Sequence, residues 1–206
     1  MKSPAALFAT ALFVAALFAA ALFAAAPALA ADGDGLFAVK GLGRVTCKDF
    51  VAEHKAKSPA FAAMVGWLDG YVTAANRYAG DTYDMTSFES TDLLIALIEQ
   101  HCQRHPDHVY AAVAQALLGR LENQRIVRNS PALTVPGAQR DYVLYVETVR
   151  RLQGRLKDRG LYKGAIDGLY GPGTRAAVKA FQEAAGVTAT GEPDQLTLLR
   201  LFHGGG

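Results

Sequence analysis

Apolar and polar positions divide the chain into three stretches with different rhythms. From Ala5 to Ala26 apolar residues run almost unbroken, built from repeated Ala-Leu-Phe units. From Cys47 to Leu121 they recur every three or four residues, the period of an amphipathic helix. Four helices are predicted there: Cys47 to about Lys57, Phe61 to about Arg77, one opening at Ser90 or Thr91, and Pro106 to about Leu121. Ser and Thr suit helix N-caps, and Pro suits a first turn. Inward positions are Met64, Leu68 and Val72 in the second helix, Leu94, Ile95, Ile98 and Cys102 in the third, and Val109, Tyr110, Val113 and Leu118 in the fourth. After Val149 the helical period returns in shorter pieces. Val149, Leu152 and Leu156 form a stripe that ends at Gly160, a natural helix stop. The next residues hold Gly164, Gly168, Gly171, Gly173 and Pro172, too many breakers for a helix. A tight double turn is predicted, with Ile166, Leu169 and Tyr170 tucked inward. A helix carrying Ala177, Val178 and Phe181 follows, then a short one from about Asp194 to Phe202, with Leu196, Leu199 and Phe202 closing the core. The expected class is all-α: a four-helix unit followed by a three-helix bundle.

The first stretch changes the setting. One Lys precedes the apolar run, and Ala28-Leu29-Ala30 ends it with the small-x-small pattern of a signal-peptidase site. Residues 1–30 are expected to be a cleaved signal peptide and the mature protein to be periplasmic, with no membrane contact after cleavage. The alternative is an uncleaved anchor, since about 20 apolar residues can span a bilayer. In an exported chain the two cysteines, Cys47 and Cys102, read as one disulfide. Residues 31–120 are then one disulfide-tied domain, 121–140 a basic linker containing Pro and Gly, and 141–206 a second domain, the two moving independently. Formal net charge is only +2, and no block is basic enough to indicate nucleic acid.

The C-terminal letters are the most specific. Leu152-Gln153 with Leu156 is followed by Gly160, Tyr162, Gly164, Ile166-Asp167-Gly168, Tyr170-Gly171 and Thr174. Ala177-Val178, Phe181-Gln182, Gly191, Asp194 and Thr197 complete the pattern. From Glu147 to Phe202 the chain resembles the small three-helix peptidoglycan-binding domain of bacterial cell-wall proteins. The resemblance implies peptidoglycan as partner. Asp167, Gly168, Gly171 and Thr174 read as fold determinants, with Asp167 bonding backbone N–H groups in its own turn. The candidate peptidoglycan-binding residues are Tyr162, Lys163, Asp167, Tyr170 and Arg175.

The middle domain carries Thr46-Cys47-Lys48-Asp49-Phe50, Gly66-Trp67-Leu68-Asp69-Gly70-Tyr71, and Cys102 with His105-Pro106. These resemble the HdeA/HdeB-type periplasmic proteins, and part of the pattern is also similar to the Rap/Tai type of immunity protein. The first resemblance implies an acid-stress chaperone with unfolded periplasmic clients. His101, His105 and His108 have a spacing that suits metal ligation on one helical face, but Pro106 interrupts that helix. They read as surface histidines, and neither metal nor cofactor is expected. The zinc-amidase and cysteine-transpeptidase patterns are absent from the sequence, and Glu53, Asp69 and Glu99 read as solvated or capping acids. The resulting expectation is a non-enzymatic wall-binding protein. The alternatives are a cell-wall hydrolase or its accessory subunit with an unrecognised active site, and a protein-docking module.

Overall fold

Helix α1 (Cys47–Ala56) starts where Thr46 Oγ1 accepts the Asp49 amide at 3.2 Å and ends at Lys57 in the left-handed region. Ser58 caps α2 (Pro59–Tyr78), with Pro59 in the first turn, and Ser90 caps α3 (Thr91–Arg104). Helix α4 spans Tyr110–Leu121. These helices come from a computed structural model that describes residue 32 and residues 36–204. The predicted signal peptide and the alternative anchor therefore lie outside the described residues. No helix among the described residues is long and apolar enough to cross a membrane.

The four-helix core follows the predicted stripes. Phe50 stacks on Tyr110 with centroids 4.8 Å apart and meets Phe61 edge-on at 5.8 Å. Met64, Leu68, Leu94 and Ile98 close around them. Cys47 and Cys102 are disulfide-bonded, as expected, and tie the start of α1 to the end of α3. One boundary differs. Pro106 does not open α4, and Val109 is exposed rather than inward. The intervening carbonyls have another use: the first amides of α1, at Cys47 and Lys48, donate to His108 and Pro106 carbonyls at 2.8 and 2.9 Å. The 105–109 turn thus satisfies a helix N-terminus that would otherwise hold unpaired donors.

The C-terminal bundle comprises α5 (Val146–Asp158), α6 (Pro172–Ala184) and α7 (Gln195–His203). Val149, Leu152, Leu156, Val178, Phe181, Leu198 and Leu201 form its core. Two expectations are corrected. Ile166 and Leu169 are exposed, at 47% and 62%, and only Tyr170 turns inward. Leu196 is also exposed, because Asp194 caps α7 and sets its phase so that Leu198, Leu201 and Phe202 face the core.

The segment expected as a linker is ordered. Strand β1 (Ala132–Val135) pairs antiparallel with β2 (Tyr142–Tyr145), Ala132 opposite Tyr145. The helical class stands, with this two-stranded sheet added. Residues Val39–Gly206 form one compact unit. The loop from Asp84 to Ser90 joins its halves. Phe88 belongs to the C-terminal core and stacks on Phe202 at 5.2 Å. Tyr145 donates to Asp84 at 2.9 Å, Thr148 to the Ser87 carbonyl at 2.7 Å, and Gln195 to the Phe88 carbonyl at 2.8 Å. The Glu89 carboxylate lies 3.1 Å from His203. Such contacts hold the two helical parts against each other, in place of the free relative motion expected of a linker.

Candidate functional site

The double turn of the C-terminal bundle is held from below by one buried side chain. Gln153 is fully buried on α5. Its Oε1 accepts the Gly168 amide at 2.9 Å, and its Nε2 reaches the Asp167 carboxylate at 2.8 Å and Thr174 Oγ1 at 3.1 Å. Gly168 has φ +80°, and a Cβ there would stand 2.6 Å from Val146 Cγ1. Only glycine fits both the conformation and the space. The same device recurs one helix later. Gln182, also fully buried on α6, accepts the Gly191 amide at 2.7 Å and donates to Thr197 Oγ1 at 2.8 Å. The sequence showed both glutamines as part of the family pattern. Their function as paired hubs, each fixing a left-handed glycine and a threonine, needed the structure.

This geometry sorts the predicted binding residues. Tyr162 is buried; its hydroxyl donates to the Ala165 carbonyl at 2.8 Å, so it builds the turn rather than lining a ligand surface. Tyr170 donates to the Gly191 carbonyl at 3.0 Å beneath the Arg175 guanidinium, and burial pushes its hydroxyl pKa well up. Arg175 itself donates to the Pro136 carbonyl at 2.7 Å. Asp167 accepts the Leu169 amide at 2.9 Å, the self-turn bond the sequence predicted. Of the five, Lys163 and Asp167 are the exposed pair.

Other exposed groups surround them. Ile166 and Leu169 project from the same turn, and Arg150 packs along Gly168. Arg150 also borders a groove of about 490 Å³ between α5 and the 126–131 segment, with Arg128, Asn129 and Val146 among its walls. Arg128 and Arg150 are both exposed. The surface therefore combines two apolar side chains with three cations, Arg128, Arg150 and Lys163. Carboxylates of a peptide suit the cations, and the apolar faces of sugar rings suit Ile166 and Leu169. Lys163 is among the sequence candidates; Arg128 and Arg150 are not, because an isolated Arg carries no pattern of its own, and Ile166 and Leu169 read as inward plugs.

Two carboxylates respond to pH. Hydrogen bonds from the Gln153 amide and then the Leu169 N–H hold Asp167 below its ordinary carboxylate pKa. The Ala138 N–H and the Tyr142 hydroxyl do the same for Glu192. A depressed folded-state pKa contributes stability above the unfolded pKa and loses it as pH falls through the folded value. The thermal midpoint is therefore expected to drop as pH falls from about 5 to about 3. Asp167→Asn, which keeps an acceptor without the charge, should flatten that drop in scanning calorimetry. An unchanged slope would remove Asp167 from the account.

Elsewhere, the acids weighed for catalysis have structural partners. Asp69 accepts from Thr91 Oγ1 at 2.8 Å, Glu99 lies 3.2 Å from His54, and Glu53 accepts from Ser58.

Comparison with known proteins agrees with the C-terminal geometry. Residues 146–201 match the family described as putative peptidoglycan binding domain. The chain is also similar to the putative OxPP cycle protein OpcA of Synechococcus elongatus, with 50% identity over 42 residues. That stretch covers 20% of this chain and 9% of the relative, so the chain spans less than a tenth of that protein's length. No solved structure matches. The resemblance of the middle domain to HdeA/HdeB-type proteins gains no support from these matches. Residues 146–201 thus form a domain of peptidoglycan-binding type.

Proposed function

We propose that the protein is an exported, non-catalytic component of the periplasm that is retained on peptidoglycan by its C-terminal domain. The observation that carries this reading is the match over residues 146–201. Its defining letters are the ones the two buried glutamines organise. We assign the wall contact to Arg128, Arg150 and Lys163, with Ile166 and Leu169 beside them. The disulfide-tied helices are then the unit held at the wall, docked through the 84–90 loop.

The test is sedimentation of the full chain with insoluble peptidoglycan sacculi. The protein should pellet with sacculi and remain in the supernatant without them. Replacing Arg128 and Arg150 together by Glu should weaken binding about tenfold or more, since two cations become two like charges facing an anionic polymer. Added salt should weaken the wild type in the same direction. Wild-type protein that stays in the supernatant would sink the anchoring proposal, and wild-type pelleting by the double variant would move the contact elsewhere. Soluble muropeptides released in the same tube would favour the hydrolase alternative.

A further inference from the structure

Three histidines mark one end of a groove that shares no residue with the proposed wall contact. His101 Nε2 and His108 Nδ1 face each other at 3.0 Å, and the His105 ring lies against both, with centroids 4.6 and 4.8 Å away. They join the last turns of α3 to the turn before α4. Beyond them the surface dips into a groove of about 280 Å³ between the two helices. Ile98 and Val113 are its buried floor, and Leu97 and Leu117 stand half-buried along it. Ala112 and Ala116 line it too, exposed, and their short side chains leave the space open.

The rim carries charge of one sign. Arg104 on α3 and Arg120 on α4 are exposed and both border the groove. Arg104 donates through Nε to the Gln100 carbonyl at 3.2 Å, which leaves its terminal nitrogens for another acceptor. Neither arginine has a carboxylate partner among the described residues. Asp107 is the one acid between residues 100 and 121, and it does not border the groove. Glu99 lies 3.2 Å from His54 of α1 instead. Burial first, then His105, His108, Arg104 and Arg120, lowers the His101 pKa, so the standing charge of the groove is that of its two arginines.

The backbone under this surface is fixed before any partner arrives. The Cys47–Cys102 bond anchors the residue after His101, and the Cys47 and Lys48 amides hold the His108 and Pro106 carbonyls. The groove therefore needs little ordering on binding, which lowers the cost of association.

From this combination we propose that the α3–α4 groove docks an acidic amphipathic helix of a partner protein. Size decides against an enclosed small molecule, since such sites usually hold about 300–1,000 Å³ and cover most of the ligand. A helix needs less, because it lays only one row of apolar side chains, at i, i+3 or i+4, and i+7, between two helices. From Ala112 to Arg120 α4 rises about 12 Å, room for two turns of such a helix. The apolar row meets Leu97, Val113 and Leu117, and acids flanking it meet Arg104 and Arg120. The arginines set the charge of the partner, since a lysine-flanked helix would bring like charges together. Docking here gives the disulfide-tied helices a task that is separate from wall binding.

The test uses the oxidised full chain without sacculi, so its outcome does not depend on the wall contact. The probe is a fluorescein-labelled, side-chain-stapled helical peptide of about 14 residues, with leucines at i, i+3, i+4 and i+7 and glutamates on either side. Fluorescence anisotropy should show saturable binding in the micromolar range. The same peptide with lysines for glutamates should bind about tenfold more weakly or worse. Arg104→Glu combined with Arg120→Glu should reverse that preference, which unfolding cannot do. Ala116→Trp, which fills the groove, should abolish binding of either peptide. All three positions are exposed, so these variants should keep the wild-type circular dichroism spectrum. No saturable binding by the wild type, equal affinity for the two peptides, or unchanged binding in Ala116→Trp would overturn the proposal. Two other results would overturn it as well. Dodecanoate that binds where the peptide does not would assign the groove to a small amphiphile. A dimer in sedimentation velocity that Ala116→Trp dissolves would assign it to a second copy of the chain.

Discussion

Replacing Cys47 and Cys102 together by Ala is expected to destabilise the protein by about 4 kcal/mol, through release of the loop they close in the unfolded chain. The two residues are 55 apart in sequence and fully buried, and the bond joins α1 to α3 at their ends. Typical domains hold only about 5–15 kcal/mol in total, so the change is a large fraction of the whole. In urea, the midpoint should fall sharply in the variant, and in the wild type once a reductant is added. The same experiment probes the union of the two halves. Phe88 and its neighbours carry contacts from the disulfide-tied helices into the C-terminal core. Loss of the bond should therefore also speed hydrogen exchange in α7. If α7 stays as protected as before while α1 and α3 open, the halves are independently stable.

Gln153→Ala should cost about 3 kcal/mol or more. The substitution strips partners from the Gly168 amide and from Thr174 and opens a void among fully buried groups. The Gly168 amide cannot simply turn to water, because its position against Val146 is fixed. Gln153→Leu fills most of the volume but restores no bond, so it should recover only part of the loss. Gln153→Glu separates the two causes. At neutral pH its carboxylate can accept from Gly168 but faces Asp167, 2.8 Å from the present Nε2. Protonation would return a donor, so the Glu variant should regain stability on acidification relative to the Ala variant. Equal loss for Glu and Ala at every pH would show that volume, not hydrogen bonding, sets the cost. All three variants should also lose sacculus binding in proportion to their unfolded fraction.

Much of the helical layout was legible from local letters. Thr46, Ser58, Ser90 and Asp194 each cap a helix through a side-chain oxygen. Pro172 opens α6, and Gly160 follows the end of α5 with φ +73°. Each signal acts over a few residues, so sequence carries it whole. The misreadings share a cause. Val109, Ile166, Leu169 and Leu196 are apolar at plausible inward positions yet exposed. Whether an apolar residue is covered depends on what packs opposite it, and that partner is distant in the chain. The 132–135 strand went unseen for a similar reason: four residues carry too little alternation, and its register is set by pairing with 142–145.

The candidate site divides along the same line. The sequence by itself determined a domain of peptidoglycan-binding type, its glycine-rich double turn, the pairing of its two cysteines and a predominantly helical class. The first rests on the likeness of its motif to a known family, the others on short-range periodicity, on turn chemistry and on there being only two thiols. Only the tertiary structure decided that Tyr162 is core, that Arg128 and Arg150 flank one groove, and that three histidines meet across a proline. It alone joined Glu89 to His203, 114 residues apart. A periodic pattern states that a face must be buried. Which surface buries it, and which polar groups that burial brings within 3 Å, is fixed by packing of the whole chain.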